Sequence, residues 1–370
     1  MDNKLYAERM KKTYQKVYAD RYNFNPTLLQ YETNKIKNNI KEMALEISDL
    51  KNMNVFNIGT GIESIIFHKL GAKKIYHRDI SNIPVENLKH LHKTDPKFHN
   101  LNSNQMDIVR DKLSIPEGID LVYLQGVVHH FSDTKRGLDN IFSNLNKDAR
   151  IFIRNYRSGT LLYFVADFVR KFVNYDCIKD LDRVSRKKFG DFPTDNANWM
   201  NNLYTNLYIL SFDHISVPSL HLFDTKELDN YFESNGFQNL LHSKLSEYNH
   251  ANFTDSSQTQ TSFVYTKKTN RTDKFYGQFP KHIDQLSGIS YREKYIIKTV
   301  EMMKKALPIL KTISCEEKIK LTLELFFIAD AYRFIKFYLD GKHNIDNKKF
   351  ELLSSVEGIH YLFQKELENY

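Results

Sequence analysis

Cysteine is scarce in this chain and long apolar runs are absent, and each shortage excludes a class of protein. Of 370 residues only Cys177 and Cys315 are cysteines. Two are too few for the disulfide framework of a small secreted domain, neither sits in a metal-ligand spacing, and a reducing, cytoplasmic setting is the expectation. The N-terminus, Met1-Asp2-Asn3-Lys4, lacks the apolar core of a signal peptide. The most apolar helical stretch, Leu321 to Ala331, is broken by Glu324 and Asp330, so no membrane span is expected. No zinc-finger or RNP signature accompanies the net charge of +8, which makes DNA an unexpected partner and a solvated surface with a local basic patch the better reading. There is no metal-ligand constellation, no internal repeat and no low-complexity tract.

What is present begins at residues 54–61, Asn-Val-Phe-Asn-Ile-Gly-Thr-Gly. A short apolar run leading into Gly59-x-Gly61 is how a buried parallel strand turns into a helix beside a ligand. Ser64 stands where a dinucleotide fingerprint has its third glycine, which argues against a dinucleotide. A second strand-like run, 74–78, ends in Asp79, and a carboxylate at that point can accept from both hydroxyls of a ribose. Gln105-Met106-Asp107-Ile108 puts another acid at the end of a third strand. Ile119–Gln125 is a fourth, running into Gly126-Val127-Val128-His129-His130, and Ala149–Asn155 is a fifth. Strands alternating with helices at this spacing predict a parallel α/β sheet with its ligand at the carboxyl ends of the strands.

These residues resemble the class I S-adenosylmethionine-dependent methyltransferases over roughly residues 50–160. Asn57-Ile58-Gly59-Thr60-Gly61 looks like the family's acidic-x-Gly-x-Gly motif, Asp79 like its ribose-binding acid, and Asp107-Ile108 like the pair that meets the adenine. A weaker echo, 223–237, looks like the helix before a sixth strand, and Thr261–Lys267 like a seventh, antiparallel edge strand. The resemblance implies a Rossmann-like, seven-stranded, mostly parallel sheet. It also implies S-adenosyl-L-methionine as cofactor, bound by Asn57, Gly59, Thr60, Gly61, Asp79, Ile80, Asp107, Ile108 and Gln125. Two departures matter. Asn57 replaces the usual acid and cannot supply its charge to the methionine ammonium, and Glu63 stands where many members carry a glycine and is a candidate to compensate.

The expected organisation is an N-terminal helical cap, 1–50, a methyltransferase domain, 51–268, and a helical C-terminal domain, 271–370. Within the cap a second helix is expected from Thr27 to Leu50 after a break at Asn23–Pro26, and the cap's tyrosines, Tyr6, Tyr14, Tyr18, Tyr22 and Tyr31, are core residues or a cover for the cofactor. The segment 156–222 is longer than a plain methyltransferase needs. It carries an amphipathic stretch from Thr160 to Val173, a basic run from Arg183 to Lys188 and aromatics around Trp199, and reads as a substrate-lid insertion. The C-terminal unit includes a helix start at Ser314, with Glu317 three residues on. It caps the substrate pocket or forms a homodimer interface, and both readings stand.

Methyl transfer from a sulfonium needs alignment of nucleophile and methyl, and a base if the nucleophile carries a proton. Candidates at the fourth strand's end are His129 and His130, which titrate in the useful range or hold the loop structurally. His214 is a candidate on the far side of the insertion. Arg154 and Arg157 suit a substrate carboxylate or phosphate. The reading favoured is a methyltransferase acting on a small anionic metabolite. The alternatives are a protein or RNA methyltransferase, for which only the Arg183–Lys188 cluster speaks, and a non-catalytic scaffold, against which Asp79 and Asp107 speak.

Overall fold

Five apolar or half-apolar segments become five parallel strands, because a strand covered by helices on both faces has no solvent side to keep polar. The computed structural model describes residues 8–11, 13, 14, 26–156, 166, 169, 170, 173, 177, 214, 215, 217, 218, 220, 221, 225–239, 260–267, 308, 309 and 312–322. In chain order the elements are α1 (Pro26–Glu42), β1 (Asn54–Ile58), α2 (Ile62–Lys69), β2 (Lys74–Asp79), α3 (Asn82–Thr94), β3 (Leu101–Gln105), β4 (Ile119–Gln125), α4 (Thr134–Phe142), β5 (Leu145–Tyr156), α5 (Thr225–Ser234), β6 (Phe237–Asn239) and β7 (Gln260–Lys267). They form one mixed α/β sheet of seven strands in the order β3-β2-β1-β4-β5-β7-β6. The first five strands run parallel, and β7 is antiparallel to both β5 and β6. The antiparallel direction of β7 is as expected. Its position is not, because β7 lies inside the sheet and the three-residue β6 takes the edge.

Alternation along the strands divides the core in two. On one face Phe56, Ile58, Val122, Leu124, Ile151 and Ile153 pack with Leu138 and Ile141 of α4 and Leu228 and Phe232 of α5. On the other, Val55, Ile75, Leu121, Tyr123 and Phe152 pack with Ile36 and Ile40 of α1 and Ile65 and Ile66 of α2. Ile36, Ile40 and Met43 recur at helical spacing and are fully buried, which is what lays α1 on the sheet. Each such side chain contributes about 1.5–3 kcal/mol by burial. The helix ends eight residues before the predicted Leu50, and Ile47–Asn52 forms a separate 3-10 turn.

Helix starts follow the local chemistry. The Ser81 hydroxyl accepts from the Ile83 amide at the start of α3, and the Asp133 carboxylate accepts from Arg136 at the start of α4. At the far end of the sheet Phe232 stacks on Tyr265 at 3.7 Å, and Asp229 accepts from the Tyr265 hydroxyl and the Asn239 amide, tying α5 to β6 and β7.

The chain divides into two compact units. The first comprises residues 1–157, 217–247 and 260–279, the second residues 158–216, 248–259 and 280–370. In the second unit a disulfide joins Cys177 to Cys315, an outcome that counting cysteines did not foresee. The Ser314–Glu317 box forms as expected: the Glu317 carboxylate accepts from the Ser314 amide at 2.8 Å, and the Glu317 amide donates to the Ser314 hydroxyl at 3.3 Å. Most of the predicted insertion helix, the Arg183–Lys188 run, the aromatics around Trp199 and most of 271–370 lie outside the described residues. Among the described residues, no helix is long and apolar enough to cross a membrane.

Candidate cofactor and acceptor site

The carboxyl ends of β1, β2, β3 and β4 converge in the first unit, and the predicted cofactor residues converge with them. After β1 the chain turns through Gly59 at φ 130° and Gly61 at φ 84°. Such angles suit glycine alone, and a Cβ on Gly61 would stand 3.1 Å from Leu88. The Thr60 hydroxyl accepts from the Ile62 amide and donates to Glu63, closing the first turn of α2.

Asp79 is buried at the tip of β2 and accepts from the Ser81 amide at 2.7 Å, and its carbonyl accepts from Met106, which draws the 105–108 loop alongside. Ile80, half-buried, accepts at its carbonyl from Gln105. Asp107 lies just past β3, which ends two residues earlier than the predicted strand. Its carboxylate accepts from Val109 and pairs with Arg110 at 3.3 Å. Burial pushes this carboxyl above its ordinary value, opposed by those same partners. Ile108 is buried against the core.

Asn57 behaves differently from the acid it replaces. It is wholly buried, its amide donates to the carbonyls of Ile58 and Tyr123, and its oxygen accepts from Ser64. Every polar atom of the side chain is used under the glycine turn. Asn57 is therefore a brace between β1, β4 and α2.

His77, a residue the sequence did not flag, supports the same turn from below. Buried in β2, its Nε2 lies 2.9 Å from the Gly59 carbonyl and its Nδ1 2.9 Å from the Ser103 hydroxyl. A carbonyl only accepts, so the proton sits on Nε2 and Ser103 donates to Nδ1. Burial pulls the imidazole down to about 4, which keeps it neutral, with the Gly59 contact acting the other way. A polar residue amid a strand was its only signal.

Gln125, at the end of β4, accepts from the Tyr123 hydroxyl at 3.0 Å and donates to Glu32 of α1 at 3.4 Å. Asn39 of α1 donates to the same tyrosine at 2.6 Å. Of the predicted catalytic residues, His129 and His130 follow β4 and are buried, their rings edge to face at 4.1 Å. Tyr14 meets His130 at 5.6 Å, the His221 amide donates to the His129 carbonyl at 2.8 Å, and the His221 ring lies 2.9 Å from the Phe131 carbonyl. His214 belongs to the second unit, where it is wholly buried and its carbonyl accepts from Arg170. Arg157 lies outside the described residues. Among the described residues no cluster of three or more His, Cys, Asp or Glu could hold a metal ion.

This arrangement has its counterpart in known sequences. A family described as a methyltransferase domain matches residues 28–242, more than half of the chain. The chain belongs to this methyltransferase family. It has the Rossmann-like fold described above, and the cofactor expected from its sequence motifs is S-adenosylmethionine. No curated protein matches the methyltransferase by sequence. Solved structures similar to it include PKMT2 from Rickettsia typhi, at 13% identity and TM-score 0.43, over 61% of this chain and 51% of that one. Another is the magnesium protoporphyrin IX methyltransferase ChlM of Synechocystis with bound SAH, at 14% and 0.41, over 72% and 100%. A third is the 1,6-didemethyltoxoflavin-N1-methyltransferase of Burkholderia thailandensis, at 11% and 0.42, over 73% and 92%. The methyltransferase thus spans about half the length of the Rickettsia protein.

The residues present fit the cofactor. The glycine turn leaves its backbone uncovered by any Cβ, the acids Asp79 and Asp107 are held in place by backbone amides, and the Nε of Arg154 at the end of β5 is buried without a hydrogen-bond partner. When bound, S-adenosylmethionine supplies a methyl group already activated on a sulfonium. The methyltransferase needs to hold it in line with an acceptor, exclude water and take up a proton where the acceptor has one.

Proposed function

We propose that this methyltransferase acts on a small, anionic metabolite by in-line methyl transfer, with His129 or His130 taking the acceptor's proton. Gly59, Thr60, Gly61, Asp79, Ile80, Asp107, Ile108 and Gln125 are proposed as the cofactor's contacts, and Asn57 as the brace beneath them. One observation carries the small-acceptor reading. Asn155, at the end of β5, is 1% exposed, and neither polar atom of its amide has a hydrogen-bond partner. An unmet buried amide costs about 1–3 kcal/mol, and a ligand with a matching donor and acceptor recovers that. A group so enclosed suits a small molecule better than a folded protein or an RNA. It follows Ile151 and Ile153 on the sheet face that also carries Val128, next to the two histidines. The anionic preference rests on the net charge of +8 and on the basic run of the insertion.

The test uses methyl-tritiated cofactor and a cell extract separated by size into metabolites and macromolecules. Label is expected in the metabolite fraction, retained on an anion exchanger and lost with Asn155→Ala. Label confined to protein or RNA would reject the reading in favour of a macromolecular acceptor.

A further inference from the structure

The charge missing at Asn57 is replaced on the same face of the sheet. Strand alternation puts Asn57, Tyr123, Gln125 and Arg154 on the face covered by α1, since each lies two residues along from a neighbour in that core or within it. On α1, Glu32 and Lys35 form an ion pair at 3.2 Å, with side chains 15% and 22% exposed, and Glu32 takes the Gln125 amide. Glu63, in the first turn of α2, is buried and held by the Thr60 hydroxyl. Glu32, Lys35 and Glu63 lie within electrostatic reach of one another, and Arg154 within reach of Lys35. Two acids and two bases thus meet where the carboxyl ends of β1, β4 and β5 lie side by side, and the Arg154 Nε is a buried donor with nothing to donate to. A buried Nε–H with no acceptor asks for an anion, and two acids with one lysine between them, one of the acids buried, ask for a further cation.

We propose that Glu32 and Glu63 receive the ammonium, and Arg154 with Lys35 the carboxylate, of the cofactor's amino-acid end. The family's acid at the end of β1 is thereby replaced by a zwitterion-matching cluster of which half is seated on α1. This assigns Arg154 to the cofactor, where the sequence had offered it to the acceptor. The inference rests on the cofactor reading given above. Burial pushes the Glu63 carboxyl above its ordinary value and holds the Lys35 ammonium below its own. A bound zwitterion relieves both, because it brings each group a counter-charge.

The test is calorimetric binding of two probes to the full chain: S-adenosylhomocysteine, which carries the amino-acid end, and 5′-methylthioadenosine, which lacks it. Glu32→Gln and Arg154→Met are each expected to weaken the first probe about tenfold or more, the size of a lost charge-assisted hydrogen bond, and to leave the second within about twofold. Asn57→Asp is expected to give no gain, because that side chain is turned inward. Equal weakening of both probes would mean that the cluster only holds α1 in place, and unchanged binding of both would mean that it faces no ligand. Either result overturns the inference while leaving the cofactor reading intact. Failure of the unaltered protein to bind either probe overturns both. Circular dichroism of the two variants separates a folding defect from a binding one, and Lys35→Met gives an independent reading of the carboxylate half.

Discussion

At the scale of single residues, two buried side chains decide how the glycine turn is held, and one of them makes its support depend on pH. His77 is neutral in the fold and donates to the Gly59 carbonyl. Its folded value of about 4 lies below the ordinary 6.5. Between those values the unfolded chain binds a proton that the folded chain refuses, so this contribution is whole above about pH 6.5 and is lost as pH falls toward 4. From pH 7 to pH 5 the loss is about 2 kcal/mol. Urea unfolding at these two pH values is expected to show that drop in the unaltered protein and not in His77→Gln, whose amide can still donate to Gly59. An equal drop in both would mean that carboxylates alone set the acid limit. Asn57 carries a different lesson. Its place in the motif was legible, but the direction of its side chain was not, because whether an amide points out to a ligand or in to a carbonyl is decided by neighbours as remote in sequence as Tyr123.

At the scale of elements, legibility followed burial. β1 and β4 are buried nearly throughout, carry an apolar run each, and were readable to within a residue. β3 is Leu-Asn-Ser-Asn-Gln, buried only at alternate positions, and an edge strand of that composition gives no apolar run, so the reading slid toward Met106 and Ile108. β5 begins at Leu145, before the expected Ala149, through a polar stretch that pairs across an irregular register with β4. The turn into α2 was the clearest local signal, and two glycines test why. Gly61 and Gly71 share a positive φ, 84° and 88°, but an added Cβ meets Leu88 at 3.1 Å in the first case and nothing within 4 Å in the second. Gly71→Ala is expected to lose about 1–2 kcal/mol, the strain of the left-handed conformation alone, and to bind S-adenosylhomocysteine normally. Gly61→Ala carries the same strain, must also displace a buried leucine, and is expected to lose more stability along with the ligand. Equal losses by thermal unfolding would mean that Leu88 yields freely.

At the scale of the whole molecule, the sheet could be derived from motif order, whereas the two-unit division and the disulfide could not. Contact between segments 138 residues apart leaves no periodicity to read. The bond between the fully buried Cys177 and Cys315 joins two segments of the second unit and closes a loop of that length, which also carries residues 217–247 and 260–279 of the first. Closing so long a loop removes freedom mainly from the unfolded chain, and its stabilisation is on the order of 5 kcal/mol in the chain-entropy account. A reducing cytoplasm, expected from the low cysteine count, would hold the bond open and leave that contribution unused, so the state of the pair also bears on where the protein works. Protein oxidised and then denatured without reductant is expected to show no titratable thiol, and with reductant two. Melting with and without reductant should then show the unfolding of the second unit, which holds both cysteines, shifting to lower temperature when the bond is reduced. Two thiols titrating in the oxidised protein would remove the bond, and with it this contribution to stability.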